Sequence, residues 1–226
     1  PDFSLEDMVL KRGFAAIAGI DEAGRGPWAG PVVAAAVILR RDAIDPKLLA
    51  PLNDSKKMTA KRRDALFDIL PACAHVGIGR AEVEEIDRDN ILNASLTAMA
   101  RAVAALPVAP DFALVDGNRE PALPCPLQCV VKGDGRSLSV AAASVIAKVT
   151  RDRLMCELAA EYPGYGWERN AGYGTAQHIA GLERLGVTPH HRKSFAPVLK
   201  ILSRESARLL DIASGIASNL LIQLNS

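Results

Sequence analysis

The chain has 226 residues, of which 49% are hydrophobic and 23% charged, and its 27 basic residues almost balance 26 acidic ones at a formal net charge of +1. This length and apolar content predict a globular protein with a buried core, built as one large domain or two small ones. The near-zero charge excludes an overall basic signal for nucleic acid, so any such surface must be local, and charged residues interrupt every hydrophobic run before it reaches membrane-spanning length, so we expect a soluble cytoplasmic protein.

The first predicted strand covers residues 15–20 and ends in two adjacent carboxylates, Asp21 and Glu22, followed by a Gly-Arg-Gly turn at 24–26. Because neighbouring side chains on a strand point to opposite faces, the two carboxylates can converge only if the strand stops near Asp21. Carboxylate oxygens suit Mg²⁺ or Mn²⁺, and the turn offers backbone groups and a guanidinium to an anionic ligand. The alternative is an Asp-Glu pair that caps a helix, which two nearby prolines disfavour.

Further elements follow from hydrophobic periodicity, after an N-terminal segment that we expect to be a loose arm with one short helical turn. Apolar runs predict strands at 31–39, 74–81, 112–115 and 127–131, of which 74–81 contains glycines and is expected at a sheet edge. Helical spacing of apolar residues predicts helices at 59–71, 90–106, 137–160 and 175–185, and an amphipathic helical tail from residue 197. Strands interleaved with helices predict an α/β layer architecture.

Two more carboxylates, Asp116 and Asp134, each follow a predicted strand. Sites in open α/β sheets form at the carboxyl ends of strands, so parallel neighbouring strands would join these two to Asp21 and Glu22 in one acidic cluster. Carboxylates at such short range repel each other unless divalent cations lie among them. Taken alone, the Asp-Gly sequence at Asp116 is equally typical of a simple turn.

Three groups of basic residues are candidate contacts for a phosphate backbone. They are residues 56–57 with 61–63, Lys148 with Arg151 and Arg153, and the His-His-Arg-Lys segment at 190–193. We interpret the histidines of the last group as part of a phosphate-facing patch rather than as metal ligands. The alternative for each group is an ordinary solvated surface.

Several segments together resemble the motifs of type 2 ribonuclease H, the ribonuclease HII family, and they occur in that family's order. They are Asp-Glu-Ala-Gly-Arg-Gly-Pro at 21–27, Asn-Asp-Ser-Lys-Lys at 53–57, Val-Asp-Gly at 115–117, Lys-Gly-Asp at 132–134, the alanine-rich segment 141–152, Gly-Tyr-Gly at 172–174 and His-Arg-Lys-Ser-Phe at 191–195. The resemblance covers roughly residues 15–198. Gly-Arg-Gly favours type 2 over the related type 3 family, and Trp28, where a smaller aliphatic residue is common, leaves the chemistry unaffected.

The resemblance implies a ribonuclease-H-like, five-stranded mixed sheet flanked by helices, with a helical C-terminal lobe. Residues 1–198 would form the catalytic domain and 199–226 a helical tail. The catalytic and metal-binding residues would be Asp21, Glu22, Asp116 and Asp134, with Mn²⁺ or Mg²⁺ as cofactor. Substrate binding would involve Gly24, Arg25, Gly26, Ser55, Lys56, Lys148, Tyr173 and Arg192.

The implied substrates are RNA:DNA hybrids and single ribonucleotides embedded in duplex DNA, cleaved on the 5′ side of the ribonucleotide to leave 3′-hydroxyl and 5′-phosphate ends. One cation would lower the pKa of the attacking water and a second would stabilise the leaving 3′-oxygen. In the family, Gly-Arg-Gly contacts the 2′-hydroxyl at the RNA-to-DNA junction, and a tyrosine matching Tyr173 stacks beneath the following deoxyribose. We expect a monomer without membrane association that acts in ribonucleotide excision repair.

Two other functions remain open at this point. Another metal-dependent nuclease or integrase of the same fold would share the carboxylates but would not need Gly-Arg-Gly or Tyr173. A non-enzymatic nucleic-acid-binding module would bind duplexes without cleaving them, although binding alone does not require clustered carboxylates.

Overall fold

A computed structural model describes residues 1–44, 52, 58–204 and 206–207, and it shows a mixed sheet with helices on both faces. The strands are β1 (Ile17–Ala23), β2 (Val32–Leu39), β3 (Ala74–Ala81), β4 (Phe112–Asp116) and β5 (Leu127–Val130). The helices are α1 (Ser4–Leu10), α2 (Ala60–Cys73), α3 (Val83–Ala104), α4 (Leu138–Glu161), α5 (Trp167–Asn170), α6 (Ala176–Leu185) and α7, which begins at residue 196 and is described through residue 204. None of the helices in these ranges combines the length and apolarity that a membrane crossing requires.

The strand order is β3-β2-β1-β4-β5, which confirms the predicted five-stranded mixed sheet and places β3 at an edge. Strand β1 pairs antiparallel with β2 and parallel with β4, and β4 pairs parallel with β5. The register sets Ile20 opposite Val115, so the next residues, Asp21 and Asp116, lie side by side where the two strands end. The topology therefore brings together carboxylates that are far apart in the sequence.

The two faces of the sheet are covered by different helices. Helix α4 packs on one face through buried alanines at 141–143, whose small side chains allow close approach. Helix α3 covers the other face and lies directly on β3, because a Cβ atom at Gly77 or Gly79 would overlap its backbone near Ala98 and Ala102. The glycines that weaken β3 as a strand are thus what lets α3 pack.

The predicted helical C-terminal lobe is confirmed as a separate small core. Helices α5 and α6 surround Tyr165, Trp167 and Leu182, which are all buried and pack against Ala29 and Met155. Ser137 and Thr175 cap α4 and α6, each accepting a hydrogen bond from a backbone N–H three residues on.

The structure corrects four details of the predicted elements. The N-terminal arm is a docked helix, α1, whose buried Glu6 accepts hydrogen bonds from Ser137 Oγ at 2.6 Å and Ser139 N at 2.9 Å. Helix α2 continues past Pro71 to Cys73. Residues 83–89, for which no helix was predicted, form a first helical segment that breaks at Asn90, where φ is 67°. Finally, β1 does not stop near Asp21 but continues to Ala23.

Candidate active site

A cavity of about 430 Å³ opens at the carboxyl ends of β1 and β4, and Asp21, Glu22 and Asp116 line it. Because β1 continues past Asp21 to Ala23, the side chains of Asp21 and Glu22 point to opposite faces of the strand. Asp21 is the more buried, with only 5% of its surface exposed, and turns towards Ser144 on α4. The cavity extends around the strand end and so reaches both carboxylates, which removes the need for the early turn that the sequence suggested.

Each carboxylate also makes local hydrogen bonds. Asp21 Oδ1 accepts from the backbone N–H of Glu22 at 2.7 Å, and Asp116 Oδ1 accepts from that of Gly133 at 2.6 Å. The guanidinium of Arg25 donates to Glu22 Oε1 at 3.2 Å. The other oxygen, Glu22 Oε2, is buried and has no hydrogen-bond partner among the described residues. An unsatisfied carboxylate oxygen in an acidic cavity is what a site for a hard cation requires.

The electrostatics of the cavity point the same way. Burial raises the pKa of Asp21 well above its usual range, and the nearby charges of Glu22 and Asp116 raise it further. Burial also raises the pKa of Glu22, against the opposing effect of Arg25. The protein alone therefore disfavours full ionisation of these groups, and a bound divalent cation would reverse that preference.

The predicted four-carboxylate cluster is only partly assembled. Asp134 is buried, with 6% of its surface exposed, but it does not line the cavity. It follows Gly133, the residue that bonds Asp116. Across the described ranges, no three His, Cys, Asp or Glu side chains form a group that could hold a metal ion as they stand. One oxygen each of Asp21 and Asp116 accepts a hydrogen bond from a backbone amide, and Glu22 Oε2 has no partner among the described residues.

Most of the predicted substrate-binding residues lie around the same cavity. Gly24, Arg25 and Gly26 line one side, and Tyr173, whose ring is 48% exposed, stands next to Gly26. Lys148 also lines the cavity and forms an ion pair with Asp152 at 2.7 Å. Ser55 and Lys56 lie outside the described residues, so their predicted role stays a prediction.

The prediction that Arg192 contacts substrate directly is wrong for this structure, because Arg192 has no exposed surface. Its guanidinium donates to the carbonyl oxygens of Gly24, Arg25, Gly30 and Pro31 at 2.6 to 3.2 Å. Burial lowers its pKa to about 9, so it remains a cation at neutral pH. The residue holds the turn beside the cavity rather than lining the cavity itself.

Arg151, from another predicted basic group, is also buried. It bonds the carbonyl oxygens of Ala29, Pro31 and Ala171 at 2.9 to 3.0 Å, and its pKa is lowered by burial to about 10. A long apolar stem with a fork of donors suits Arg to such sites. Both arginines are therefore structural cations, but Arg192 lies beneath the cavity, whereas the Arg151 side chain also lines it and packs against Gly24.

His191 is also fully buried, which contradicts its predicted place in a phosphate-facing patch. Its Nδ1 accepts from the backbone N–H of Thr188 at 2.9 Å, which assigns its proton to Nε2. This Nε2–H and Trp167 Nε1–H share His178 Nε2 as their acceptor, each at 3.0 Å. His178 Nδ1–H then donates to the backbone carbonyl of Tyr173 at 3.0 Å. The two histidines thus form a buried hydrogen-bonded chain that ends at the cavity tyrosine.

Ser144 and Arg63 also line the cavity. Ser144 was not singled out in the sequence, although it lies four residues before Lys148 and therefore on the same face of α4. Arg63 belongs to the predicted basic group at 61–63, and the structure separates it from its neighbours by placing it at the cavity.

Comparison with known proteins agrees with this geometry. The sequence model of the ribonuclease HII family matches residues 18–198. The chain is 61% identical over 206 residues to ribonuclease HII of Ruegeria pomeroyi, covering 91% of this chain and 86% of that protein, and 59% identical over 208 residues to ribonuclease HII of Rhodospirillum rubrum, covering 91% and 94%. The crystal structure of ribonuclease H2 from Pyrococcus horikoshii OT3 superposes with a TM-score of 0.73 at 28% identity, covering 84% of this chain and 98% of that one. The chain therefore belongs to the ribonuclease HII family and is a metal-dependent endoribonuclease of the ribonuclease H type.

Proposed function

We propose that this protein hydrolyses the RNA strand of RNA:DNA hybrids and cleaves duplex DNA on the 5′ side of single embedded ribonucleotides, leaving 3′-hydroxyl and 5′-phosphate ends. The observation that carries this proposal is the shared cavity. It is lined by three carboxylates together with the Gly24–Gly26 turn and Tyr173. Groups suited to phosphodiester hydrolysis and groups suited to sugar recognition therefore meet within one ligand-sized space.

Asp21, Glu22 and Asp116 are the residues that would hold Mg²⁺ or Mn²⁺, and Asp134, beyond the Gly133 amide, would complete the set that the family resemblance implies. Bound divalent cations supply Lewis acidity, which lowers the pKa of a nucleophilic water and stabilises the leaving 3′-oxygen. The protein contributes an array of hard oxygen ligands at the end of a rigid sheet. Ser144 and the Glu22 amide orient Asp21, and the Gly133 amide orients Asp116.

The remaining residues of the cavity would position the substrate. Lys148 and Arg25 offer positive charge to the phosphates that flank the scissile bond. The ring of Tyr173 presents a half-exposed apolar face that can pack on a deoxyribose, where a 2′-hydroxyl would crowd it. Gly24 adopts a φ of +99°, which other residues rarely adopt, and this lets the chain turn after β1 so that the Gly-Arg-Gly segment lines the cavity.

The test is a panel of end-labelled duplexes of one sequence: all DNA, all RNA, RNA:DNA hybrid, and DNA with one ribonucleotide, each incubated with Mg²⁺ and with Mn²⁺. We expect cleavage of the hybrid and of the single-ribonucleotide duplex and no cleavage of DNA. The products should be extended by a DNA polymerase, which requires a 3′-hydroxyl end. Cleavage of the all-DNA duplex would assign the protein to a broader nuclease class. Binding without cleavage at every metal concentration would make it a binding module.

A further inference from the structure

We infer that Arg192 is a positioning residue for recognition of the 2′-hydroxyl: it turns two peptide groups of the Gly24–Gly26 turn so that the N–H groups of Arg25 and Gly26 face the cavity. This inference rests on the proposed function, because it explains how the turn would distinguish ribose from deoxyribose. Arg192 touches neither substrate nor metal in this role and acts through the backbone that it holds.

The Arg192 guanidinium joins the Gly24–Gly26 turn to the start of the next strand, with two hydrogen bonds to the turn and three to Gly30 and Pro31. Nη2 donates to Gly24 O at 2.6 Å and Nη1 donates to Arg25 O at 3.0 Å, so two consecutive carbonyl oxygens point at one buried guanidinium. The backbone of Arg192 is itself fixed, since its N–H donates to Trp28 O at 2.8 Å. Planar geometry and several fixed donors make arginine, but not lysine, able to hold both carbonyls at once.

The geometry of the peptide group carries the next step. No peptide bond in the described chain is cis, and in a trans peptide the C=O of one residue and the N–H of the next point in opposite directions. Holding the carbonyls of Gly24 and Arg25 inward therefore turns the N–H groups of Arg25 and Gly26 outward. Neither N–H has a hydrogen-bond acceptor among the described residues. Two adjacent donors without partners, in a segment that lines the cavity, are suited to bind a hydroxyl oxygen.

The test compares how strongly each enzyme variant depends on that oxygen. The probe is a DNA duplex with one ribonucleotide, and its partner carries a 2′-fluoro group at the same position, because fluorine has similar size but accepts hydrogen bonds poorly. The measured quantity is the ratio of kcat/KM on the first duplex to kcat/KM on the second. We expect Arg192→Lys to lower this ratio about tenfold, the effect of one or two weakened neutral hydrogen bonds.

Gly79→Ala is the control for loss of stability, because Gly79 does not line the cavity and a Cβ there would overlap the α3 backbone at Ala98. It should reduce thermal stability and leave the ratio within twofold of wild type. If Arg192→Lys leaves the ratio unchanged, or if Gly79→Ala lowers it as much, the positioning role is overturned and Arg192 only supports the fold. Failure of wild type to prefer ribonucleotide over all-DNA duplex would instead overturn the proposed function.

A second measurement does not depend on the variants folding or on catalysis. In ¹⁵N-labelled wild-type protein with EDTA, the single-ribonucleotide duplex should shift the amide resonances of Arg25 and Gly26, and the all-DNA duplex should shift them much less. Equal shifts with both duplexes would show that these amides do not sense the 2′-oxygen.

Discussion

The acidic residues of the cavity carry negative charges that burial and mutual repulsion disfavour. Asp21 is buried beside two other carboxylates and has a raised pKa, while one buried oxygen of Glu22 has no hydrogen-bond partner within the described part of the chain. Such arrangements destabilise the metal-free protein and favour a cation. Single substitutions of these carboxylates should therefore lower catalytic activity while they raise the stability of the metal-free protein.

Asp116→Asn should abolish cleavage, by at least a hundredfold in kcat, while it leaves folding and duplex binding intact, because it removes one charge from the carboxylate group but keeps its shape. Loss of repulsion from Asp21 should make the metal-free protein slightly more stable. Turnover on the hybrid and thermal unfolding are the measurements. Glu120→Gln, which neutralises an exposed carboxylate outside the cavity, is the control and should match wild type in both. Activity of Asp116→Asn within tenfold of wild type would remove Asp116 from the catalytic group.

Tyr173→Ala should lose about tenfold or more activity on a single ribonucleotide in DNA and much less on a continuous hybrid, because the ring can pack on a deoxyribose only at an RNA-to-DNA junction. Base and sugar stacking on an aromatic ring contributes roughly 1–3 kcal/mol. The measurement is kcat/KM on both duplexes, with Tyr173→Phe as a control that keeps the ring. Equal losses on the two substrates would reduce the ring to a structural role.

For individual residues, the sequence predicted which side chains belong to the site better than it predicted their burial and their hydrogen-bond partners. Asp21, Glu22, Asp116 and Tyr173 reach the cavity as predicted, because strand ends and glycine-flanked loops are visible in sequence. Arg192 and His191 were misplaced, because a run of His, Arg and Lys looks solvated unless one knows which carbonyl oxygens and ring nitrogens face it. The carbonyl oxygens that bind Arg192 lie 161 to 168 positions away in the chain, and His178, which bonds His191, lies on a separate helix, so the sequence of the segment itself could not reveal these contacts.

Secondary-structure elements fix the cavity by packing closely on one another. Helix α3 lies against β3 over two glycines, and α4 lies against β1 and β2 over small residues. In both interfaces, small residues let backbones approach until van der Waals contact is complete. Enlarging a single side chain there should separate the layers.

Gly79→Ala should destabilise the protein by about 2 kcal/mol, because its Cβ would overlap the α3 backbone at Ala98 and one of the two elements would have to move. Chemical denaturation gives the free energy of unfolding. Gly135→Ala is the matched control, since a Cβ there meets no atom within 4 Å. If both variants unfold alike, the contact between α3 and β3 is looser than the structure shows.

The buried histidines of the C-terminal lobe should make stability fall on acidification. Burial lowers the pKa of His191 from 6.5 to about 3, so between these values the unfolded chain binds a proton that the folded protein does not. The free energy of unfolding should therefore decrease as pH falls from 6.5 towards 3, by roughly 1.4 kcal/mol per pH unit from this group at most. Denaturation across this range should give a shallower slope for His191→Asn than for wild type; equal slopes for the two proteins would exclude the effect.

Most elements followed from hydrophobic periodicity, and their departures have local physical causes. Helix α2 continues past Pro71 to Cys73. Proline has no backbone N–H, but because Pro71 lies in the last turn, the helix loses only one hydrogen bond. Asn90 does begin a helix, as its side-chain oxygen accepts from Leu92 N and Asn93 N, but a second helical segment precedes it. The docking of α1 depends on Glu6 reaching the start of α4, a contact across 131 positions that the sequence of α1 alone does not indicate.

The molecule as a whole combines a rigid sheet with a C-terminal lobe that reaches back to the cavity. The sheet supplies the carboxylates, and the lobe supplies Tyr173 and the residues that hold the Gly24–Gly26 turn. Metal binding at the end of the sheet should therefore raise the free energy of unfolding of the whole protein.

Mg²⁺ or Mn²⁺ should raise the midpoint of thermal unfolding in a saturable manner, with about 2.7 kcal/mol of stabilisation at a hundredfold excess over Kd. The stabilisation should grow with rising pH, because the raised pKa of Asp21 makes protons compete with the cation. Calorimetry at matched ionic strength with NaCl separates specific binding from screening. Asp21→Asn should lose most of the effect, and an equal shift in that variant would place the cation elsewhere.

The hydrogen bond from Arg192 to Gly24 joins residues 168 positions apart, so it can form only late in the synthesis of the chain. A growing chain acquires Asp21, Glu22, Asp116 and Asp134 long before residue 192 has been translated. Until then the carboxylates lack the lobe that orders the neighbouring turn, and closing so long a loop is a late and entropically costly event. We expect nascent chains that end before His191 to be inactive when released and assayed on a single-ribonucleotide duplex. Translation itself would then withhold nuclease activity until the part of the molecule that distinguishes RNA from DNA is in place.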